Sequence, residues 1–208
     1  MGVGYNTKIV TNGLVMCLDA ANSKSYPGTG TTWYDISGNG YNATLYNSPS
    51  FANGVFTFNG TNSYAAASSI NLAVGNSTIV GASRYSGATR GRMIAGTNNN
   101  WLMGNYSNSV ANYYAEGWVS TPGAGGTDTT WRIYAATGNT VGDSWEFFIN
   151  GVSNASGAGG SAGPNGISIG CYANGVSEFS TGDCSFVLAY NRVLSAAEIK
   201  QNYNVCTD

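Results

Sequence analysis

Apolar residues alternate with polar or small residues along most of the chain, in short runs separated by turns rich in glycine and asparagine. Leu14–Asp19 alternates in this way, and Trp145, Phe147 and Ile149 fall on one side of a later run. A period of two is typical of β-strands that bury one face. Asn150-Gly151 follows the later run directly, and Asn-Gly between apolar runs is a strong signal for a β-hairpin. The pattern therefore predicts an all-β chain.

Further strands are predicted where the same alternation recurs. They span Thr78–Ser83, Arg92–Gly96, Trp101–Gly104, Asn112–Val119 and Trp131–Ala136. Turn signals spaced about 8–12 residues apart are typical of a β-sandwich. Residues 1–12 show no clear period, so we predict an N-terminal arm at 1–12 and a single domain at 13–208.

The end of the chain combines a doubly covered strand with one short helix. Phe186–Tyr190 is apolar or small on both faces, which indicates a strand covered on both sides. Ser195 and Glu198 have the spacing of a capping box at the start of a helix. Leu194 and Ile199 have the spacing of the matching hydrophobic staple.

Several of these segments also resemble one family. Leu188–Ile199 is similar to the closing segment of laminin-G-like domains of the concanavalin A-like superfamily, and Phe56–Tyr64, Trp145–Val152 and Ile167–Gly170 are similar to other parts of that family's pattern in the expected order. The resemblance implies a two-sheet antiparallel jelly-roll sandwich. A fold of this kind does not by itself imply an activity.

Charge and hydropathy exclude two classes of partner. Charged residues make up 9% of the chain and the net charge is −2, so we expect no nucleic-acid binding. No apolar run approaches the roughly 18 residues of a membrane-spanning helix, so we expect no membrane insertion. Met1–Val10 lacks the features of a secretory signal, and we therefore expect synthesis in a host cytoplasm.

Acidic residues and histidine decide the prediction about catalysis. The chain has no histidine, which excludes a Ser-His-Asp or Cys-His site. Glu116, Glu146, Glu178 and Glu198 lack an acidic neighbour two or four positions away, so no strand presents the paired carboxylates of a glycoside hydrolase. We expect that the protein is not an enzyme.

Calcium is the one cofactor that the resemblance suggests, and none is required for folding. Laminin-G-like folds often carry an oxygen-ligand site, and Asp19 and Asp183 are the pair that we select for it. Asn59 stands where the family often has an aspartate, which removes a charge that would favour calcium. The alternative is that both aspartates face solvent or cap turns.

The four cysteines, Cys17, Cys171, Cys184 and Cys206, lack the C-x-x-C spacing of a zinc site. We expect four buried thiols in a reducing compartment. The alternative is at least one disulfide, either between Cys171 and Cys184 or between Cys17 and Cys206.

Aromatic residues concentrate in one segment that is rich in asparagine and serine. These residues are Trp101, Tyr106, Tyr113, Tyr114 and Trp118. Aromatic rings stack on sugar faces and asparagine bonds hydroxyls, so the segment is a candidate glycan-binding site. The alternative is that these rings belong to the core of the sandwich.

A second resemblance concerns function. Gly13–Ala20, Ser25–Asp35 and Ser37–Gly40 are similar to the opening of laminin-G-like proteins in tailed-phage virions. This implies a virion surface protein, either a capsid decoration or a fibre or spike head, that contacts other virion proteins or its own copies and adheres to host glycans. The alternative is a carbohydrate-binding module of a bacterial surface or secreted protein.

The predicted arm suggests how such a protein would be attached. Tyr5, Ile9 and Val10 are apolar residues in a segment without strand periodicity. We expect them to contact a neighbouring subunit or the particle surface, with the aromatic segment facing outward.

Overall fold

The computed structural model of the chain describes residues 8–123 and 126–207. These residues form fifteen strands and one helix. In chain order they are β1 (Leu14–Asp19), β2 (Thr32–Trp33), β3 (Ala43–Tyr46), β4 (Ser50–Ala52), β5 (Val55–Asn59), β6 (Tyr64–Asn71), β7 (Asn76–Arg90), β8 (Ile94–Gly96), β9 (Trp101–Tyr106), β10 (Ser109–Ala115), β11 (Arg132–Asn139), β12 (Ser144–Ile149), β13 (Val152–Gly157), β14 (Asn165–Ile169), β15 (Ser180–Tyr190) and α1 (Ala196–Thr207).

The strands form two antiparallel sheets, as predicted for a jelly-roll sandwich. One sheet has the order β13-β12-β11-β7-β15-β5-β4, and β1 pairs with the end of β15 that β5 leaves free. The other sheet has the order β10-β9-β8-β14-β6-β3-β2. The main core lies between them, because the inward residues of both sheets are fully buried there. Trp33, Phe58, Tyr85 and Phe147 are among its large side chains.

The Asn150-Gly151 hairpin is confirmed. Asn150 has φ 53° and Gly151 has φ 74°, the left-handed pair of a two-residue turn that matches strand twist. Trp145 and Phe147 of β12 point into the main core, as their spacing predicted.

The closing strand β15 is covered on both faces, which confirms the prediction from its sequence. Val187 faces the main core, whereas Phe186 and Leu188 face a second cluster that α1 covers. Ser195 and Glu198 form the capping box, with Ser195 N–H donating to Oε2 of Glu198 at 2.9 Å and Glu198 N–H donating to Oγ of Ser195 at 3.3 Å. The helix is thereby fixed at the point where it leaves the sheet.

Residues 8–12 pack on the chain's own domain. Val10 is buried in the second cluster and Ile9 packs against it. Val10 therefore packs against the chain's own α1 and β15, and a contact of this segment with a neighbouring subunit stays a prediction. Tyr5, the third apolar residue of the predicted arm, lies outside the described residues.

The four cysteines are free thiols. Burial raises the pKa of Cys17 to about 12 and that of Cys171 to about 12. Neutral thiols behave as small apolar side chains in a core. Within the described ranges, no helix has the length and apolar character to cross a bilayer.

Candidate functional site

The β9–β10 hairpin divides the predicted aromatic segment between two environments. Tyr113 lies opposite Met103, and Tyr114 lies opposite Leu102. Side chains alternate across a strand, so Tyr113 points into the sandwich and Tyr114 points outward. The five aromatic residues therefore do not form one surface.

Trp101 and Tyr113 belong to the main core, which corrects their assignment to a glycan site. Each is 1% exposed, and their rings pack edge to face at 5.9 Å between centroids. The hydroxyl of Tyr113 donates to the carbonyl of Thr137 at 3.0 Å. Burial raises the pKa of Tyr113. Neither ring can meet a ligand, because both lie between the sheets.

The other three rings, of Tyr106, Tyr114 and Trp118, form a cluster on the outer face of the hairpin. We call it the aromatic cluster. The Tyr114 and Trp118 rings meet edge to face at 5.1 Å, and the Tyr106 and Trp118 rings lie 6.0 Å apart. Trp118 is 36% exposed. The cluster thus presents aromatic faces to solvent.

Trp118 reaches this cluster because the chain turns back after β10. The predicted strand Asn112–Val119 was too long, since β10 ends at Ala115 and Glu116 adopts φ 55°. A bridge then pairs Tyr114 with Trp118. Gly117 is required at this turn, because a Cβ atom there would overlap the carbonyl of Gly159.

Arg92 and Asn100 form the polar floor beneath the aromatic cluster. Nη1 of Arg92 donates to Oδ1 of Asn100 at 2.7 Å. The guanidinium lies 5.1 Å from the centroid of Tyr106 and 4.2 Å from that of Tyr172, which are cation–π contacts. Leu102 completes the lining of a cavity of about 220 Å³.

Two carboxylates, those of Glu178 and Glu116, contact the residues of this floor. Oε2 of Glu178 lies 2.5 Å from Nε of Arg92, and the two groups form an ion pair. Their relative orientation does not meet the geometry of a hydrogen bond. Oε1 of Glu116 accepts a hydrogen bond from the Asn100 N–H at 2.6 Å. Among the described residues that line the cavity there is no carboxylate, so both acids support the floor from outside it. The sequence did not predict these roles of Glu178 and Glu116, because the partner of each acid is distant in sequence or lies in a turn.

A second cavity adjoins the first one and shares Tyr106 as a wall. Its volume is about 240 Å³, and its other lining residues are Ser107, Ser109, Asn112, Pro122 and Gly123. Oγ of Ser109 is buried without a hydrogen-bond partner among the described residues. The lining mixes the polar side chains of Ser107, Ser109 and Asn112 with apolar surface from Tyr106 and Pro122. The two cavities together offer room for more than one sugar ring.

Asp19 and Asp183, the pair predicted for calcium, have separate partners within the chain. Asp183 is 4% exposed and pairs with Nε of Arg84 at 2.7 Å, and it also accepts from the Thr57 hydroxyl at 2.7 Å. Asp19 instead caps a turn by accepting the N–H of Ala21 at 3.0 Å. The arginine already balances the charge of Asp183. No group of three or more potential metal-binding acids or cysteines occurs in the residues that the structure describes.

The fold is a two-sheet antiparallel jelly-roll sandwich, and solved structures share it. A sialidase from Trypanosoma rangeli in complex with sialic acid matches 94% of this chain with a TM-score of 0.67 and 16% identity. The binding domain of Paraclostridial Mosquitocidal Protein 1 matches 95% of it with a TM-score of 0.67 and 15% identity. The receptor binding domain of botulinum neurotoxin C/D mosaic serotype matches 94% with a TM-score of 0.63 and 14% identity.

This chain spans only part of each of those proteins, namely 33% of the sialidase, 53% of the mosquitocidal domain and 52% of the neurotoxin domain. No protein-family profile and no curated protein sequence matches this chain. At these identities the likeness shows the fold alone.

Proposed function

We propose that this chain is a non-enzymatic glycan-binding β-sandwich and that the aromatic cluster is its binding site. The observation that carries this proposal is the meeting of three solvent-facing rings, those of Tyr106, Tyr114 and Trp118, above a polar floor. Sugars present apolar C–H faces and a ring of hydroxyls. Aromatic side chains cover the former, and amide and guanidinium groups bond the latter.

The neighbours in fold support a binding role. Two of them are binding domains of toxins. The lining of the cavity favours binding over hydrolysis, because glycoside hydrolysis requires two carboxyl groups at the scissile bond. In the described part of the chain, Glu116 and Glu178 are not among the residues that line the cavity, and each is bound to a residue of its floor. The adjoining cavity suggests a ligand of more than one sugar.

Trp118→Ala is the variant that tests the site. With a full surface of about 250 Å² for tryptophan, its 36% exposure leaves about 90 Å² open to solvent. If a sugar covers half of that area and buries as much of its own, about 90 Å² leaves water, which contributes about 2 kcal/mol. The affinity for the glycan should therefore fall about thirtyfold.

The assay is a glycan array followed by calorimetric titration of the best ligand. Tyr34→Ala is the matched control, because Tyr34 is an exposed aromatic residue outside the cluster. We expect this control to bind like the original protein. Equal affinities for all three proteins, or binding to no glycan on the array, would refute the proposal.

For the biological setting, we propose a surface protein of a tailed-phage virion, either a capsid decoration or a fibre or spike head that adheres to host glycans. The similarity of Gly13–Ala20 to phage laminin-G-like proteins supports this setting. The low content of charged residues, 9% of the whole chain, also supports it. The outer edge of β13 has no strand partner among the described residues and is mostly exposed. Such edges recruit other chains, which suits contact with virion proteins or with further copies.

A carbohydrate-binding module of a bacterial surface or secreted protein is the alternative setting, since the aromatic cluster would serve it equally well. Mass spectrometry of purified particles from the source decides between them. The virion proposal predicts a fixed ratio of this protein to the major capsid or tail protein. Its absence from intact particles, together with its recovery from cell envelopes or medium, would favour the alternative.

A further inference from the structure

We infer that the aromatic cluster takes an uncharged sugar, such as a neutral hexose or an N-acetylhexosamine, in preference to a sugar that bears a carboxylate. This inference rests on the proposed glycan-binding function and specifies its ligand. Among the described residues that line the cavity, Arg92 is the sole cation.

The guanidinium of Arg92 is already committed to partners within the chain. Its Nε edge faces Glu178 at 2.5 Å, and its Nη1 donates to Oδ1 of Asn100. The rings of Tyr106 and Tyr172 lie over it at 5.1 and 4.2 Å. Arg92 is 5% exposed as a result. Recognition of a carboxylate by arginine generally uses a free, planar, two-pronged donor edge. Here each such edge of Arg92 has one nitrogen already engaged, Nε by Glu178 and Nη1 by Asn100.

The carboxylates near the floor oppose an acidic ligand further. Glu178 balances the charge of Arg92, and Glu116, bonded to the Asn100 N–H, adds a second negative charge. One positive and two negative groups therefore leave the floor with a net negative charge. A sugar carboxylate placed in the cavity would be repelled, since like charges at close range disfavour each other.

Neutral hydroxyl and amide groups suit the same floor. Nδ2 of Asn100 makes no hydrogen bond to another described residue, so it can donate to a sugar oxygen. The Trp118 ring remains open to a C–H face. An uncharged ring can thus satisfy the floor without displacing the Arg92–Glu178 pair.

The experiment compares matched glycans that differ in one terminal residue. A galactose-terminated oligosaccharide and the same oligosaccharide with a sialic acid cap are titrated calorimetrically into the full chain. We expect the neutral form to bind at least about tenfold more tightly. Glu116→Gln keeps the acceptor oxygen for Asn100 but removes a negative charge, and Glu178→Gln releases Arg92. Each substitution should narrow the difference between the two glycans.

The outcomes separate this inference from the proposed function. Tighter binding of the sialylated glycan, lost in Trp118→Ala, would overturn the inference and leave the glycan site in place. Binding of neither glycan, nor of any other on an array, would overturn the proposed function itself. Glu116→Gln keeps the test decisive if Glu178→Gln does not fold, because Glu116 is exposed and its hydrogen bond is retained.

Discussion

Replacing Asn202 with alanine should break a buried hydrogen-bond network that joins α1 to β15 and to residue 10. Oδ1 of Asn202 accepts the N–H of Val10 at 2.8 Å, and Nδ2 donates to the hydroxyl of Tyr190 at 3.0 Å. That hydroxyl donates in turn to the carbonyl of Val10 at 2.9 Å. Asn202 and Tyr190 are each 0% exposed, so water cannot replace the lost partner.

The cost of this substitution follows from the groups that it leaves without a partner. The buried N–H of Val10 loses its acceptor, and an unsatisfied buried group costs about 1–3 kcal/mol. The hydroxyl of Tyr190 keeps its bond to Val10 and loses only the one from Asn202. With a small cavity added, we expect the free energy of unfolding to fall by about 2–3 kcal/mol. For a domain of this size the Tm should fall by about 4–12 °C.

The assay is reversible denaturant unfolding of the original protein and four variants. Asn204→Ala is the matched control, because Asn204 lies on the exposed side of the same helix and should change stability little. Tyr190→Phe removes the network from its other side, so the double variant Asn202→Ala/Tyr190→Phe should cost less than the sum of the two. A loss below about 0.5 kcal/mol for Asn202→Ala, the range of ordinary surface substitutions, would refute the reasoning.

Three further predictions concern acid stability, thiols and the N-terminal residues. The ion pair with Arg192 and the cap at the helix start lower the pKa of Glu198 from 4.5 to about 2. The stabilisation that Glu198 contributes is therefore complete above pH 4.5 and is lost as the pH falls toward 2. Glu198→Gln should flatten the curve of stability against pH in this range, and an unchanged curve would contradict this. Burial raises the pKa of Cys206 to about 11, so its alkylation in the native protein at mildly alkaline pH should be slow. Unfolding without reductant should expose four reactive thiols, and a smaller number would indicate a disulfide. A chain that begins at Thr11 should have a lower Tm than one that begins at Lys8, because it lacks the contacts of Val10, and equal values would exclude that role.

Local signals in the sequence predicted much of the fold. The Asn150-Gly151 turn and the Ser195–Glu198 capping box depend on neighbours within a few residues, and both form as expected. The apolar run Phe186–Tyr190 correctly predicted a strand covered on both faces. Local patterns did not predict that residues 8–12 help to cover this strand, because these residues reach the second cluster from the far end of the chain.

The candidate site was predictable only in part. The aromatic segment was identified, but the division between Tyr113 and Tyr114 depends on the register of β10 and on where that strand ends. The left-handed turn at Glu116 sends Trp118 back onto the hairpin, and glutamate gives no local signal for such a turn. Arg92 and Glu178 meet through tertiary contact across 86 positions of sequence, which no short pattern encodes.

The most direct test of the central claim is a titration followed through the indole N–H resonances of the protein in ¹⁵N-edited NMR spectra, with the best neutral glycan from the array. If the aromatic cluster binds sugar, the resonance of Trp118 should shift progressively and saturate. The resonance of Trp101, which is 1% exposed in the core, should stay in place. A glycan that binds while the Trp118 resonance does not move would contradict the account.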